Sequence, residues 1–108
     1  MAVRIVTVRG EKLYLETAKY YNDTLAVFLT AEGQKVSLAG PYATVSVNLP
    51  KSTDLPPNCF YGKHWSENEG ILEELVQQGA IEVATDIPPA SSGFIPVTNA
   101  YKLIKEGE

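Results

Sequence analysis

From residue 3 to residue 48 the chain is organised by alternation. The opening "VRIVTV" is short and β-branched, and "RGEK" after it supplies Gly10 for a turn. In "KLYLETAKYY" Leu13 and Leu15 fall on one side, Tyr14 and Glu16 on the other. Asn22 and Asp23 then offer a tight turn, and "TLAVFLT" sets Leu25, Val27 and Leu29 on a common face before the turn "AEGQ". In "KVSLAGPYATVSVNL" two strand-like halves flank Gly40 and Pro41, where a bulge, kink or edge is expected. Beyond them Ala43, Val45 and Val47 alternate with Thr44, Ser46 and Asn48, the pattern of one half-buried strand. Spacings this short imply hairpins and an antiparallel sheet.

The period changes after the loop at 50–58, which Pro56 and Pro57 keep irregular, and the brief strand "CFYG". Ile71, Leu72, Leu75 and Val76 recur at helical spacing, with Glu73, Glu74, Gln77 and Gln78 opposite. Ser66 and Glu69 fit the S-x-x-E capping box, in which each side chain satisfies the other residue's backbone N–H. Gly79 stands where a left-handed C-terminal cap is expected. The spacing predicts a helix over 67–78, with one face on the sheet. After it "AIEVAT" reads as a strand, "DIPPASSGFIP" as a loop, "VTNAYKLI" as a final strand and 105–108 as a frayed tail.

At 108 residues, 44% hydrophobic and 20% charged, this is one α+β domain spanning 1–108. The expected architecture is an antiparallel sheet of about five or six strands with the single α-helix packed on one face. One cysteine, Cys59, excludes an intrachain disulfide and a Cys-rich zinc site, and suits a reducing, cytoplasmic location. No targeting segment is read at the start, and no apolar run approaches the roughly 20 residues that cross a bilayer. The formal charge is −4, and none of the nine Lys and Arg is adjacent to another. That distribution disfavours direct nucleic-acid binding and attachment to an anionic membrane. An edge strand leaves pairing into a homodimer open.

Candidate chemistry concentrates in "YGKHWSENEG", which holds the only histidine and the only tryptophan. Glu67 and Glu69 sit where a helix dipole favours negative charge, so their expected work is structural rather than catalytic. His64 and Cys59 form no recognisable metal or nucleophile–base spacing. No phosphate loop, dinucleotide motif or nucleophile elbow is present. The chain is therefore read as a non-enzyme with no catalytic residues, cofactor or metal. The predicted helix carries Glu67, Glu69, Glu73 and Glu74 and no Lys or Arg, although the Glu69–Glu73 like-charge pair disfavours a helix. An acidic face of that kind suits a basic protein partner, with Tyr61, His64 and Trp65 adding contact area beside Glu67, Glu73 and Glu74. The alternative is a small enzyme or ligand binder using the loops between Cys59 and His64 and between Asp86 and Pro96.

The run "GPYATVSVNLP" followed by "WSENEGILEELVQQGAIE" resembles a family of small bacterial proteins of uncharacterised function, carried by conjugative elements and phages. The likeness spans about 12–104, with "SENEG" at the helix entry its most specific part, and His64-Trp65 departs from the usual lead-in. The resemblance implies a mobile-element accessory protein, anti-defence or regulatory, that binds a host or mobile-element protein. It carries no catalytic residues to transfer.

Overall fold

A computed structural model of the protein describes residues 2–31 and 43–104, with the side chains of Ala2, Val3 and Glu67 outside that description. The Gly40-Pro41 break, most of the "AEGQ" turn and the tail at 105–108 also lie outside the described residues. The expectation of a small α+β fold with one helix and antiparallel sheets holds among them. The strands, however, divide into sheets of four, four and two rather than forming one sheet.

Strands β1 (Ala2–Val8), β2 (Glu11–Lys19), β3 (Leu25–Ala31) and β4 (Ala43–Thr44) follow in order across the first sheet. Arg9 and Gly10 join β1 to β2 with φ values of 52° and 79°, the left-handed pair that matches the twist of a tight hairpin. In register, Leu13 faces Ala31 and Leu15 faces Leu29. Leu13, Leu15, Val27 and Leu29 are fully buried, as their alternation predicts.

The run "ATVSV" does not make one strand. At Val45 the chain leaves the first sheet and enters the second as β5 (Ser46–Val47). Val45 donates its N–H to the Val27 carbonyl at 2.9 Å and accepts from the Lys63 N–H at 2.8 Å, so one residue belongs to both ladders. The Ser46 hydroxyl completes the switch by accepting from the Val27 N–H at 2.9 Å and bonding the Tyr20 hydroxyl at 2.8 Å. Buried polar groups are tolerated where partners of this kind are supplied.

The second sheet runs β5, β6 (Cys59–Gly62), β10 (Ala100–Leu103), β7 (Ile81–Val83). Its main-core side presents Phe60, Ile81 and Leu103 to a cluster shared with Val6, Val8, Leu13 and Leu29 of the first sheet. The other side is covered as well, by a smaller cluster of Leu49, Tyr61 and Ala100 with Leu55, Ile87 and Ile95 packed on it. Tyr61, expected at a contact surface, is therefore only 3% exposed. Adjacent residues of a strand point to opposite faces, and in β6 both faces are roofed.

The α-helix, α1, spans Ile71–Gln77 and not 67–78. Residues Ser66–Asn68 form a separate turn of 3₁₀ helix, and Gly70 at φ +86° separates the two. The capping box is not made. Ser66 lies at φ +61°, outside the extended region an N-cap residue adopts, and Glu69 reaches it only through its own backbone N–H, at 3.2 Å from the Ser66 carbonyl. The far end behaves as expected. Gly79, at φ +75°, donates to the Val76 carbonyl at 3.0 Å while Ala80 donates to that of Leu75 at 3.0 Å, the paired bonds of a Schellman cap. Ile71, Leu72 and Leu75 enter the main core, and Val76 stays 37% exposed.

The stretch "DIPPASSGFIP" contains a hairpin where a loop is expected. Strands β8 (Ala90–Ser92) and β9 (Ile95–Thr98) pair around Gly93 and Phe94, with Gly93 at φ +57° opening the two-residue turn. "VTNAYKLI" accordingly splits at Asn99 between β9 and β10.

Candidate functional site

The residues of "YGKHWSENEG" part company in three dimensions. Tyr61 is buried, His64 is exposed and Trp65 is half-buried. His64 Nε2 meets the Val97 carbonyl at 3.0 Å, which ties the segment after β6 to β9. Its ring stands edge-on to that of Trp65, at 82° and 5.2 Å between centroids, an arrangement that aromatic quadrupoles favour. Asn68, fully buried, holds this segment from behind by donating to the Thr44 carbonyl at 2.6 Å and the Lys63 carbonyl at 3.2 Å.

Together these constraints form one wall of an open groove of about 670 Å³, within the range of ligand-sized sites. Trp65 and Ser66 line that wall, and Glu69, Glu73, Val97, Thr98, Asn99 and Tyr101 complete the lining. Two glutamates and no lysine or arginine lie among the lining residues.

Tyr101 is the firmest part of the lining. It stacks on its cross-strand partner Phe60 at 5.9 Å and 26°. Gly62 leaves room for it: a Cβ there would stand 2.6 Å from the Tyr101 ring and 2.7 Å from Leu72 Cδ1. Burial, and next the Glu73 carboxylate, raise the ionisation of the Tyr101 hydroxyl above its ordinary value, against a lowering hydrogen bond with Asn99. Among the described residues Glu73 accepts no hydrogen bond and pairs with no cation.

The rest of the helix's acidic face is occupied. Glu74 Oε1 accepts from the Arg9 N–H at 3.0 Å, and Arg9 Nη2 donates to the Glu69 carbonyl at 2.9 Å. Gln78 takes the Thr7 N–H on its Oε1 at 2.8 Å and gives its own amide to the Thr7 carbonyl at 2.6 Å. Arg4 Nη1 donates to the Gly79 carbonyl at 3.0 Å. The broad acidic surface expected from Glu67, Glu73 and Glu74 thus narrows: Glu74 is spent on Arg9 in the β1–β2 turn, the Glu67 side chain lies outside the described residues, and Glu73 remains.

Cys59 and His64 do not meet in a common cleft. Cys59 borders cavities of about 250 and 430 Å³ near Pro56, on which His64 does not open. Burial, and then Asp86, push the Cys59 thiol up, outweighing the lowering influence of Lys102, so the thiolate a nucleophile requires is disfavoured. Asp86 and Ile87 share the 430 Å³ cavity with Cys59, and with Pro88 and Pro89 they also border a second hollow, of about 300 Å³, with Lys51, Asp54 and Tyr61. The Tyr61 hydroxyl is raised there by burial and then by Asp54. Among the described residues no three His, Cys, Asp or Glu side chains could hold a metal ion, and no helix is long and apolar enough to cross a membrane.

Compared with known proteins, the chain matches no protein-family model, no curated protein and no solved structure. Sequence reasoning placed His64, Trp65 and Glu73 at a contact surface but missed Val97, Asn99 and Tyr101. The β6–β10 pairing, which sets Tyr101 beside Phe60, brings them there.

Proposed function

We propose that the chain is a non-enzymatic protein-binding module, of the cytoplasmic accessory kind that mobile genetic elements carry in anti-defence or regulatory roles. It holds a partner with a basic surface in the groove between Trp65, Glu73 and Tyr101. The observation that supports this reading is the lining itself: two carboxylates and two large aromatic rings face one opening without a lysine or arginine among them. Aromatic rings joined to one sign of charge are the composition of contact hot spots, and the net charge of −4 favours encounter with a basic partner. Two of the exposed apolar groups belong to the hairpin that borders the groove. Val97 is 64% exposed at the groove, and Phe94, wholly exposed, stands at the tip of the β8–β9 hairpin that carries it. The module reading thus moves the contact surface from the helix's whole acidic face to one edge of it.

The test is site-specific photocrosslinking in host cells, with benzoylphenylalanine at Val97 or at Glu11, an exposed position on β2. A discrete protein adduct from position 97 and none from position 11 is the expected result. Identical adducts from both positions, or none from either, would overturn the assignment.

A further inference from the structure

The groove is more particular than a generic acidic surface. His64 and Trp65 form a corner, their rings nearly perpendicular, with His64 held by the Val97 carbonyl. Tyr101, which lines the same opening, is backed by Phe60 and packs closely over Gly62. Neither aromatic wall needs to be ordered on binding, which lowers the entropic cost of association. In the same lining Glu73 offers a carboxylate without a partner among the described residues, and Glu69 offers a second, exposed one. Ring faces attract cations, and carboxylates pair with them. Phosphates and acidic peptides would be repelled by the same two glutamates.

We infer that the groove is an arginine site: it takes an arginine side chain from an extended segment of a partner protein. The guanidinium lies on the Trp65 and Tyr101 rings and pairs with the Glu73 and Glu69 carboxylates. This rests on the reading of the chain as a protein-binding module and narrows it to one side-chain chemistry. Arginine fits better than lysine for three reasons. Its head is planar and stacks on rings, it presents a fork of donors to a carboxylate, and it is less strongly hydrated than an ammonium. The apolar stem of the same side chain meets the exposed Val97.

Trp65 is the only tryptophan of the chain, so its fluorescence reports on the groove alone. The experiment titrates the full chain at low salt with acetyl-Ala-Ala-Arg-Ala-Ala-amide and with its lysine and citrulline counterparts. Citrulline keeps the shape of arginine and removes its charge. The arginine peptide is expected to give a saturable change, with binding at least about tenfold weaker for citrulline, the ratio that one lost charge-assisted contact produces, and weaker for lysine. Glu73→Gln should weaken arginine binding to a similar degree while leaving the urea unfolding midpoint in place. Equal binding of citrulline and arginine, equal binding of lysine and arginine, or no saturation with arginine would each overturn the arginine assignment. If the adducts from position 97 persist in that case, the module reading stands without it; if they are missing too, both fall.

Discussion

The two edges of one short helix make opposite uses of similar side chains. On the edge facing β1, Glu74 and Gln78 meet a row of outward backbone groups and are consumed by them: three bonds of 2.6–3.0 Å reach Thr7 and Arg9. β1 is the border strand of its sheet, and such borders invite pairing with other chains unless they are covered. Gln78, offering one donor and one acceptor to the same residue, does what a neighbouring strand would do. On the other edge Glu73 lines the groove with Tyr101, and its carboxylate accepts no hydrogen bond from the described residues. Charge on the helix therefore does not by itself define the proposed contact surface. What stands opposite each charge defines it.

The largest perturbation removes the wedge that holds both edges in place. Leu75 is fully buried in the main core, one turn before the cap at Gly79. Leu75→Ala leaves a cavity beneath the helix and is expected to destabilise the fold by about 2–5 kcal/mol, read as a lowered urea midpoint at unchanged slope. Both edges should loosen together, so the Trp65 emission should shift as well. An intact midpoint would mean that α1 is held by its polar latch and not by its apolar face.

A smaller loss separates the edges. Gln78→Ala removes both bonds to Thr7, but the position is exposed and water can replace part of what is lost. The expected cost is about 1 kcal/mol. The more telling readout is size-exclusion chromatography, since an uncovered β1 border should show stronger concentration-dependent self-association than the parent chain. Binding at the groove should be untouched. A Gln78→Ala protein that elutes as the parent does at every concentration would show that side-chain coverage does not govern this edge.

How much of this was legible follows from how local each feature is. The burial of Leu13, Leu15, Val27 and Leu29 is written in alternation, because a sheet covered on its inner face imposes a period of two. The stop at Gly79 is legible for the same local reason: a left-handed residue after an apolar stripe ends a helix. The start is misleading, since "SENE" satisfies the capping pattern while Gly70, three residues before Glu73, carries the break that separates turn from helix. Pro88 and Pro89 drew "DIPPASSGFIP" towards a loop, although Gly93 held the turn signal of a hairpin. The switch at Val45 and the burial of Tyr61 have no local signature, because each depends on what a distant segment supplies. The groove is non-local in the same way. It joins Trp65 to Tyr101, 36 positions apart, through a strand pairing that periodicity does not specify.

The finest test of the contrast touches Glu73 alone. Glu73→Gln should change global stability by no more than about 0.5 kcal/mol, since the side chain is exposed and takes no bond from the described residues. Its effect should appear instead on Tyr101, whose hydroxyl is raised first by burial and then by that carboxylate. Because the folded value is raised, the neutral phenol favours the folded state. That contribution is complete below the ordinary tyrosine value of about 10 and is lost as pH climbs through the folded value. Removing the Glu73 charge should move the Tyr101 titration to lower pH while leaving it above the ordinary value, because burial remains. The measurement is the alkaline absorbance titration at the phenolate band, taken as a difference against Tyr101→Phe so that the other five tyrosines cancel. An unmoved titration would place Glu73 too far from the ring to share a ligand with it. It would also dissolve the distinction between the latched and the open edge of the helix.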